Sequence, residues 1–293
     1  MINQGKDRPL YLVEFVRALE SKNSLARGRQ IQAALEALGL EAAVQEYHCP
    51  QIKNIIVDFS PSSKEKRLLF TAHYDVVKGS PGANDNASGV SVLLGLCYQL
   101  KHIRAPVRIV FFDREEAWLR TPILRLGLLG SLYYAWRANV QTIAAVYNLE
   151  LCGSGDCLGI WPIRGKETSL PAFRQVTRAA ARLALPFKAA HIPWVFFSSD
   201  YLSFRLRGIP NALTLSLLPT SQTLALEKSL AGLSLWKLLV PRRPTLPEPL
   251  CFIHSNEDIS SRLNEKSLRL MLSLLLELIQ SYRPQAIRFN LQD

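Results

Sequence analysis

Three apolar runs in this chain each stop at an acid or a histidine. Leu68-Leu69-Phe70-Thr71-Ala72 leads into His73 and Asp75. The run Val107-Arg108-Ile109-Val110-Phe111-Phe112, apolar apart from Arg108, leads into Asp113, Glu115 and Glu116, and Ile143-Ala144-Ala145-Val146-Tyr147-Asn148-Leu149 leads into Glu150. Continuous apolar runs suit strands buried on both faces, as in a parallel sheet covered by helices. Open sheets of that kind bind ligands at the carboxyl ends of their strands. The pattern restricts the chain to a layered α/β fold with its chemistry on one rim.

The rest of the sequence supplies the other layers. Strands are expected at about 42–48, 53–59, 67–73, 107–113, 142–149, 156–161 and 211–217. Helices are expected at 9–20, 24–38, 87–101, 130–139, 169–184, 200–207 and 264–281. In the second helix Leu25, Ile31, Leu35 and Leu38 recur at roughly helical spacing, and Gly39 supplies a stop. Strands alternating with helices mean layers of each. A proline-rich stretch at 240–250 reads as an extended surface loop. No internal repeat is found, and the 293 residues read as one domain, 1–293.

Composition narrows the function. The formal net charge is +11, yet Lys and Arg are spread along the chain with no basic run and no nucleic-acid-binding motif. Solvated surface is the reading, and no nucleic-acid partner is expected. The five cysteines have scattered spacing and no Cys-x-x-Cys, which reads as reduced thiols in a cytoplasmic protein. Residues 1–7 carry charges and no apolar run, so no leader is expected. The most apolar helix, 264–281, contains Arg269 and Glu277 and is too short and too charged to span a bilayer. No membrane partner is expected.

The candidate site starts at His73-Tyr74-Asp75. Residues two apart on a strand point the same way, so Asp75 is placed to take the second ring N–H of His73 and fix its tautomer. Alone this spacing is a weak signal. Asp85, in Gly82-Ala83-Asn84-Asp85-Asn86-Ala87-Ser88-Gly89, could by itself be a plain helix N-cap. Glu115 and Glu116 are adjacent carboxylates, and a buried pair needs a cation nearby. His254 comes late, in Phe252-Ile253-His254-Ser255-Asn256-Glu257-Asp258. One histidine, a shared aspartate and one acid suffice for a first zinc. The same aspartate, one glutamate and the last histidine suffice for a second, and one glutamate remains as a base. His48, His102 and His191 have no partner pattern and read as structural or surface groups.

In this order the residues resemble the di-zinc aminopeptidases, co-catalytic zinc exopeptidases related to glutaminyl cyclases. The matching segments are 72–75, 82–89, 111–116 with 127–131, 148–153, 199–210 and 254–258, within about residues 53–280. The resemblance implies a three-layer α/β/α sandwich with a mixed, mostly parallel central sheet. It implies His73, Asp85 and Glu150 as ligands of one zinc, and Asp85, Glu116 and His254 as ligands of the other. Glu115 matches the general base and Asp75 the residue that orients the first histidine. Asp200 and Tyr201 match a segment lining the substrate pocket, and a cis peptide is implied just after Asp85. The implied reaction is hydrolysis of the N-terminal residue of peptides with a free N-terminus. Zinc would activate the water, and Glu115 would take its proton.

Two departures stand out. Glu150 stands where most such proteins carry Asp, and residues 117–126 intervene between the glutamate pair and Gly127-Leu128-Leu129-Gly130-Ser131. The insertion holds Trp118, a candidate hydrophobic wall for a substrate side chain. It also holds Arg120 and Arg125, candidates for an acidic group or a peptide carboxylate. Two other readings compete. A glutaminyl-peptide cyclotransferase would use a single zinc to cyclise N-terminal Gln. The insertion favours it, while Ile253, where cyclases carry Trp before the last histidine, counts against it. A non-catalytic binding module of the same fold would have lost its metals, and all five ligands are present.

Overall fold

The computed structural model describes residues 11–48, 51–60, 62, 65–116, 119–120, 125–191, 199–231 and 247–282. Helices α1 (Leu12–Leu19) and α2 (Ser24–Ala37) lead into strands β1 (Ala43–His48), β2 (Gln51–Asp58) and β3 (Arg67–His73). Next come α3 (Gly89–Leu100), β4 (Val107–Phe112), a short ladder of β5 (Leu119–Arg120) with β6 (Arg125–Leu126), and α4 (Leu129–Arg137). Then follow β7 (Ile143–Leu149), β8 (Cys157–Trp161), α5 (Pro171–Arg182), β9 (Phe187–Ala189) and α6 (Tyr201–Leu206). The last elements are β10 (Ala212–Leu218), α7 (Thr223–Ala231) and α8 (Glu265–Tyr282).

One sheet of eight strands runs in the order β1-β2-β4-β3-β7-β10-β8-β9. The central strands β4, β3, β7 and β10 are parallel. β1 and β2 extend the sheet on one side and β8 on the other, each by antiparallel pairing. β3 and β10 are buried along their whole length; in β3 this explains the continuous apolar run Leu68-Leu69-Phe70, whereas β10 alternates Leu213, Leu215 and Leu217 with the buried polar Thr214 and Ser216.

Successive side chains sort to opposite faces. Leu68, Phe70 and Ala72 of β3 join a core with residues of α1, α2, α3, α5 and α8. Leu69 of β3, Val110 and Phe112 of β4 and Val146 of β7 pack with Tyr134 and Ala135 of α4 and Phe204 of α6. Helices therefore cover both faces, and the architecture is the expected three-layer α/β/α sandwich with a mixed sheet. One row across the sheet is polar. Thr71, Asn148 and Thr214 are register partners on β3, β7 and β10. Thr71 donates to Asn148 Oδ1 at 2.8 Å, so the row is paired rather than orphaned.

The expected boundaries shift in places. The helix expected at 87–101 starts at Gly89, because Asp85 and Asn86 leave helical φ/ψ within the turn Ala83–Ser88. β9, α7 and the β5–β6 ladder have no counterpart among the expected elements. β9 is three residues long and exposed, so no apolar run marks it. Of the proline-rich stretch, residues 240–246 lie outside the described residues, and Leu250–Phe252 forms a single 3-10 turn. Among the described residues no helix is long and apolar enough to cross a membrane.

Candidate metal centre

Parallel pairing puts the carboxyl ends of β3, β4 and β7 on one rim. His73 is the last residue of β3, Glu115 and Glu116 lie just beyond β4, and Glu150 follows β7. Asp85 reaches the same rim from the turn before α3. Gly82 opens that turn with φ 64, and a Cβ there would lie 2.7 Å from Arg27 Nη2 and 2.9 Å from Asp85 O. Glycine meets both demands, the left-handed φ and the close approach. The Asp258 carboxylate fastens the turn by accepting the backbone N–H of Asn84 at 2.7 Å and of Asp85 at 3.1 Å. Asn86 ties it to the end of β7 by donating to Leu149 O at 2.7 Å. The Asp85–Asn86 peptide is cis, as the resemblance implies. Asp85 is not a helix cap, since α3 begins at Gly89 without a side-chain cap.

Asp85 stands between two imidazoles. Its Oδ1 is 3.1 Å from His73 Nε2, and its Oδ2 is 3.2 Å from His254 Nε2. Glu150 Oε2 lies 3.4 Å from His73 Nε2, and Glu116 Oε1 lies 2.8 Å from His254 Nε2. Two donor triads result, His73–Asp85–Glu150 and Asp85–Glu116–His254, each with its donor atoms within 4.8 Å of one another. Each offers one imidazole nitrogen and two carboxylate oxygens, a donor set that fits zinc.

Neighbouring side chains hold these donors. Glu150 Oε1 accepts from Ser199 Oγ at 2.8 Å and from Asn148 Nδ2 at 3.2 Å, which leaves Oε2 turned to His73. Asp75 Oδ1 lies 3.3 Å from His73 Nδ1, but that nitrogen has no hydrogen bond of good geometry among the described residues. Asp75 instead accepts the backbone N–H of Glu115 and of Glu116, each at 3.0 Å. Glu115 O accepts from Leu128 N at 2.9 Å. The peptide carrying the glutamate pair is thus held on both sides.

The electrostatics are those of crowded acids. Burial acts to lower the His73 pKa, but Glu150 and Glu115 outweigh it and hold the imidazole well above its ordinary value. Burial also opposes the charge on His254, yet Asp85 and Glu116 raise it to about 10. Asp85 is pushed up by burial and pulled further down by the two imidazoles, so it ends well below the usual carboxylate range. Burial raises Glu115 well above that range; His73 opposes the shift, and Glu116, Glu150 and Asp200 add to it. Burial and Asp85 raise Glu116. Carboxylates pressed together in this way call for positive charge.

The other expected residues are placed as follows. Asp200, at the start of α6, is fully buried, and neither carboxylate oxygen has a hydrogen bond of good geometry among the described residues. Burial raises it to about 7, with Glu150 and Asp75 adding to the effect and His73 opposing it. Tyr201 is not brought to the donor atoms: its ring is buried in the core and packs edge-on to Trp161 at 5.7 Å between centroids. Trp118 lies outside the described residues. Arg120 and Arg125 are register partners in the β5–β6 ladder.

The model of peptidase family M28 matches residues 54–279. The chain belongs to peptidase family M28. Among curated proteins, aminopeptidase YwaD of Bacillus subtilis is 38% identical over 92 residues, covering 30% of this chain and 18% of that one. The chain spans less than half the length of the first curated relatives it matches. A solved structure of BSAP, a zinc aminopeptidase from Bacillus subtilis, superposes with a TM-score of 0.57 at 22% identity, covering 78% of this chain and 50% of that chain. A glutaminyl cyclase of Porphyromonas gingivalis superposes with a TM-score of 0.66 at 20% identity, covering 93% and 97%. At these identities the two structures share the M28 fold with this chain.

Several residues that build this M28 site carry only a faint mark in the sequence. Asn148 stands two positions before Glu150 on the same strand face, and Asp258 four positions after His254. Ser199 directly precedes Asp200. Each is a plain polar residue next to a conspicuous one, and its role depends on a partner far along the chain.

Proposed function

We propose that the chain is a zinc-dependent aminopeptidase that binds two zinc ions and removes the N-terminal residue of peptides with a free N-terminus. The carrying observation is Asp85, whose two oxygens face two separate imidazoles, each accompanied by one further carboxylate. His73, Asp85 and Glu150 hold one ion in this reading, and Asp85, Glu116 and His254 hold the other. When bound, zinc supplies Lewis acidity, which makes water a stronger acid and polarises a carbonyl oxygen.

The chain's own residues supply the rest. Glu115 takes the proton of the attacking water and passes it to the leaving amine. Asp75 keeps the base aimed by holding the Glu115 and Glu116 N–H groups. The acidic rim suits the positive charge of a free N-terminus. Asp200 borders that pocket in this reading, with Tyr201 packed behind it, and Trp118 contributes a wall. Core side chains continuous from Leu12 to Ile279 support reading the chain as one domain.

Zinc-loaded protein is expected to cleave aminoacyl p-nitroanilides, to lose that activity to a chelator and to regain it with zinc. No release from any member of such a panel by the zinc-loaded protein overturns the reading. Completeness of both triads favours it over the single-zinc cyclase. Pyroglutamate formation from an N-terminal-Gln peptide, without hydrolysis, would transfer the assignment to the cyclase.

A further inference from the structure

Helices α1 and α2 precede the family match, which begins at residue 54, yet one of their side chains reaches the site. Arg27 of α2 is fully buried. It lies on one stripe with Ile31 and Leu35, where an aliphatic residue would be ordinary. Its hydrogen bonds go to carbonyl oxygens. Nε donates to Leu19 O at 3.1 Å, Nη1 to Tyr74 O at 3.4 Å, and Nη2 to Pro81 O at 2.8 Å and Gly82 O at 2.9 Å.

Those carbonyls bracket a single connection. Tyr74 follows His73, and Gly82 opens the turn that carries Asp85, so one guanidinium fastens both ends of 74–82. Among the described residues Arg27 makes no direct salt bridge, Asp75, Asp85, Asp258 and Glu20 acting on it only through space; burying a cation without a directly paired carboxylate is costly, and packing α2 on the sheet does not require one. Glu20 acts in parallel from the end of α1. Its carboxylate accepts Ser260 N at 2.9 Å and Ser260 Oγ at 2.6 Å, two residues after the Asp258 that holds the Asp85 turn.

We propose that Arg27 is a positioning residue for the metal centre: its guanidinium fork clamps the 74–82 connection and so holds His73 and Asp85 at the separation that a shared metal needs. This rests on the two-zinc reading. A buried cation here has two conceivable roles, and they give opposite results. As a charge, Arg27 acts on Asp75, Asp85 and Asp258 and repels an arriving cation, so removing it tightens zinc binding. As a clamp, it sets the donors in place beforehand, so removing it weakens zinc binding.

The test is the zinc affinity of the full chain, measured by competition with a chromophoric chelator. Wild type is compared with Arg27→Met, Arg27→Lys and Leu35→Ala, the last being a buried change on the same helix that leaves the 74–82 connection alone. Arg27→Met is expected to bind zinc about 10–100-fold more weakly, as loss of a residue supporting metal ligands typically does. Arg27→Lys is expected to weaken binding too, because it keeps the charge and loses the planar fork. Leu35→Ala is expected to lower thermal stability and leave zinc affinity at the wild-type value. Unchanged or tighter binding in Arg27→Met overturns the proposal. If Arg27→Met does not fold, Arg27→Lys decides, and wild-type affinity there overturns it. A wild-type chain that binds no zinc at all instead sinks the two-zinc reading.

Discussion

The two donor triads share Asp85 but are built differently. His73 ends a central strand, and its side chain is 1% exposed. Its partner Glu150 has one oxygen held by Asn148 and Ser199. His254 sits in an irregular loop with φ 61, and its side chain is 32% exposed. On that difference, the donor on the buried strand end is expected to be in place before a metal arrives and the loop histidine to be ordered by it. Ordering costs roughly 1–2 kcal/mol per residue fixed, about a tenfold loss of affinity for each 1.4 kcal/mol. The His73 position is therefore expected to bind tightly and the His254 position to exchange more readily.

The largest effect that can break this comparison is at the shared residue. Asp85→Ala is expected to abolish activity and lower metal content at both positions; elemental analysis that finds one position still filled would show that Asp85 is not shared. Glu115→Gln comes next. It is expected to keep both metals and the fold while kcat falls about 10²–10⁴-fold, because an amide cannot accept the water proton. Near-wild-type kcat would exclude Glu115 as the base. The two histidines then separate the sites. His254→Ala is expected to retain one zinc per chain and His73→Ala to lose the tighter one, and equal losses in chelator titrations would erase the asymmetry.

Smaller effects sharpen the picture. Ser199→Ala frees one side of Glu150 and is expected to weaken zinc at the His73 position about 10–100-fold, with the His254 position unchanged; a loss at the His254 position alone would contradict that. Shortening 117–126 is expected to leave two zincs bound and to change the order of preference among Leu, Glu and Gln N-terminal substrates. An unchanged order would show that the insertion does not select substrates.

Much of the rim is legible in the sequence for one reason. β3, β4 and β7 are largely buried on both faces, so each reads as a mainly apolar run, broken in β4 by Arg108, and a charge that follows such a run falls at the carboxyl edge. Local spacing misleads where the partner is distant. Asp75 sits two residues from His73, yet its good hydrogen bonds go to N–H groups 40 and 41 residues on. Asp258 caps a turn 174 residues away, which no spacing near His254 reveals. Arg27 is the informative miss. A charge on the apolar stripe of α2 is visible in the sequence, but its four carbonyl partners exist only once the fold brings Leu19, Tyr74, Pro81 and Gly82 together.

Zinc titration of the metal-free wild-type chain, with elemental analysis at saturation, tests the shared-carboxylate centre most directly. Two zinc ions per chain, taken up in two steps of different affinity, are the expected result. Saturation at one zinc or none would contradict a centre bridged by Asp85.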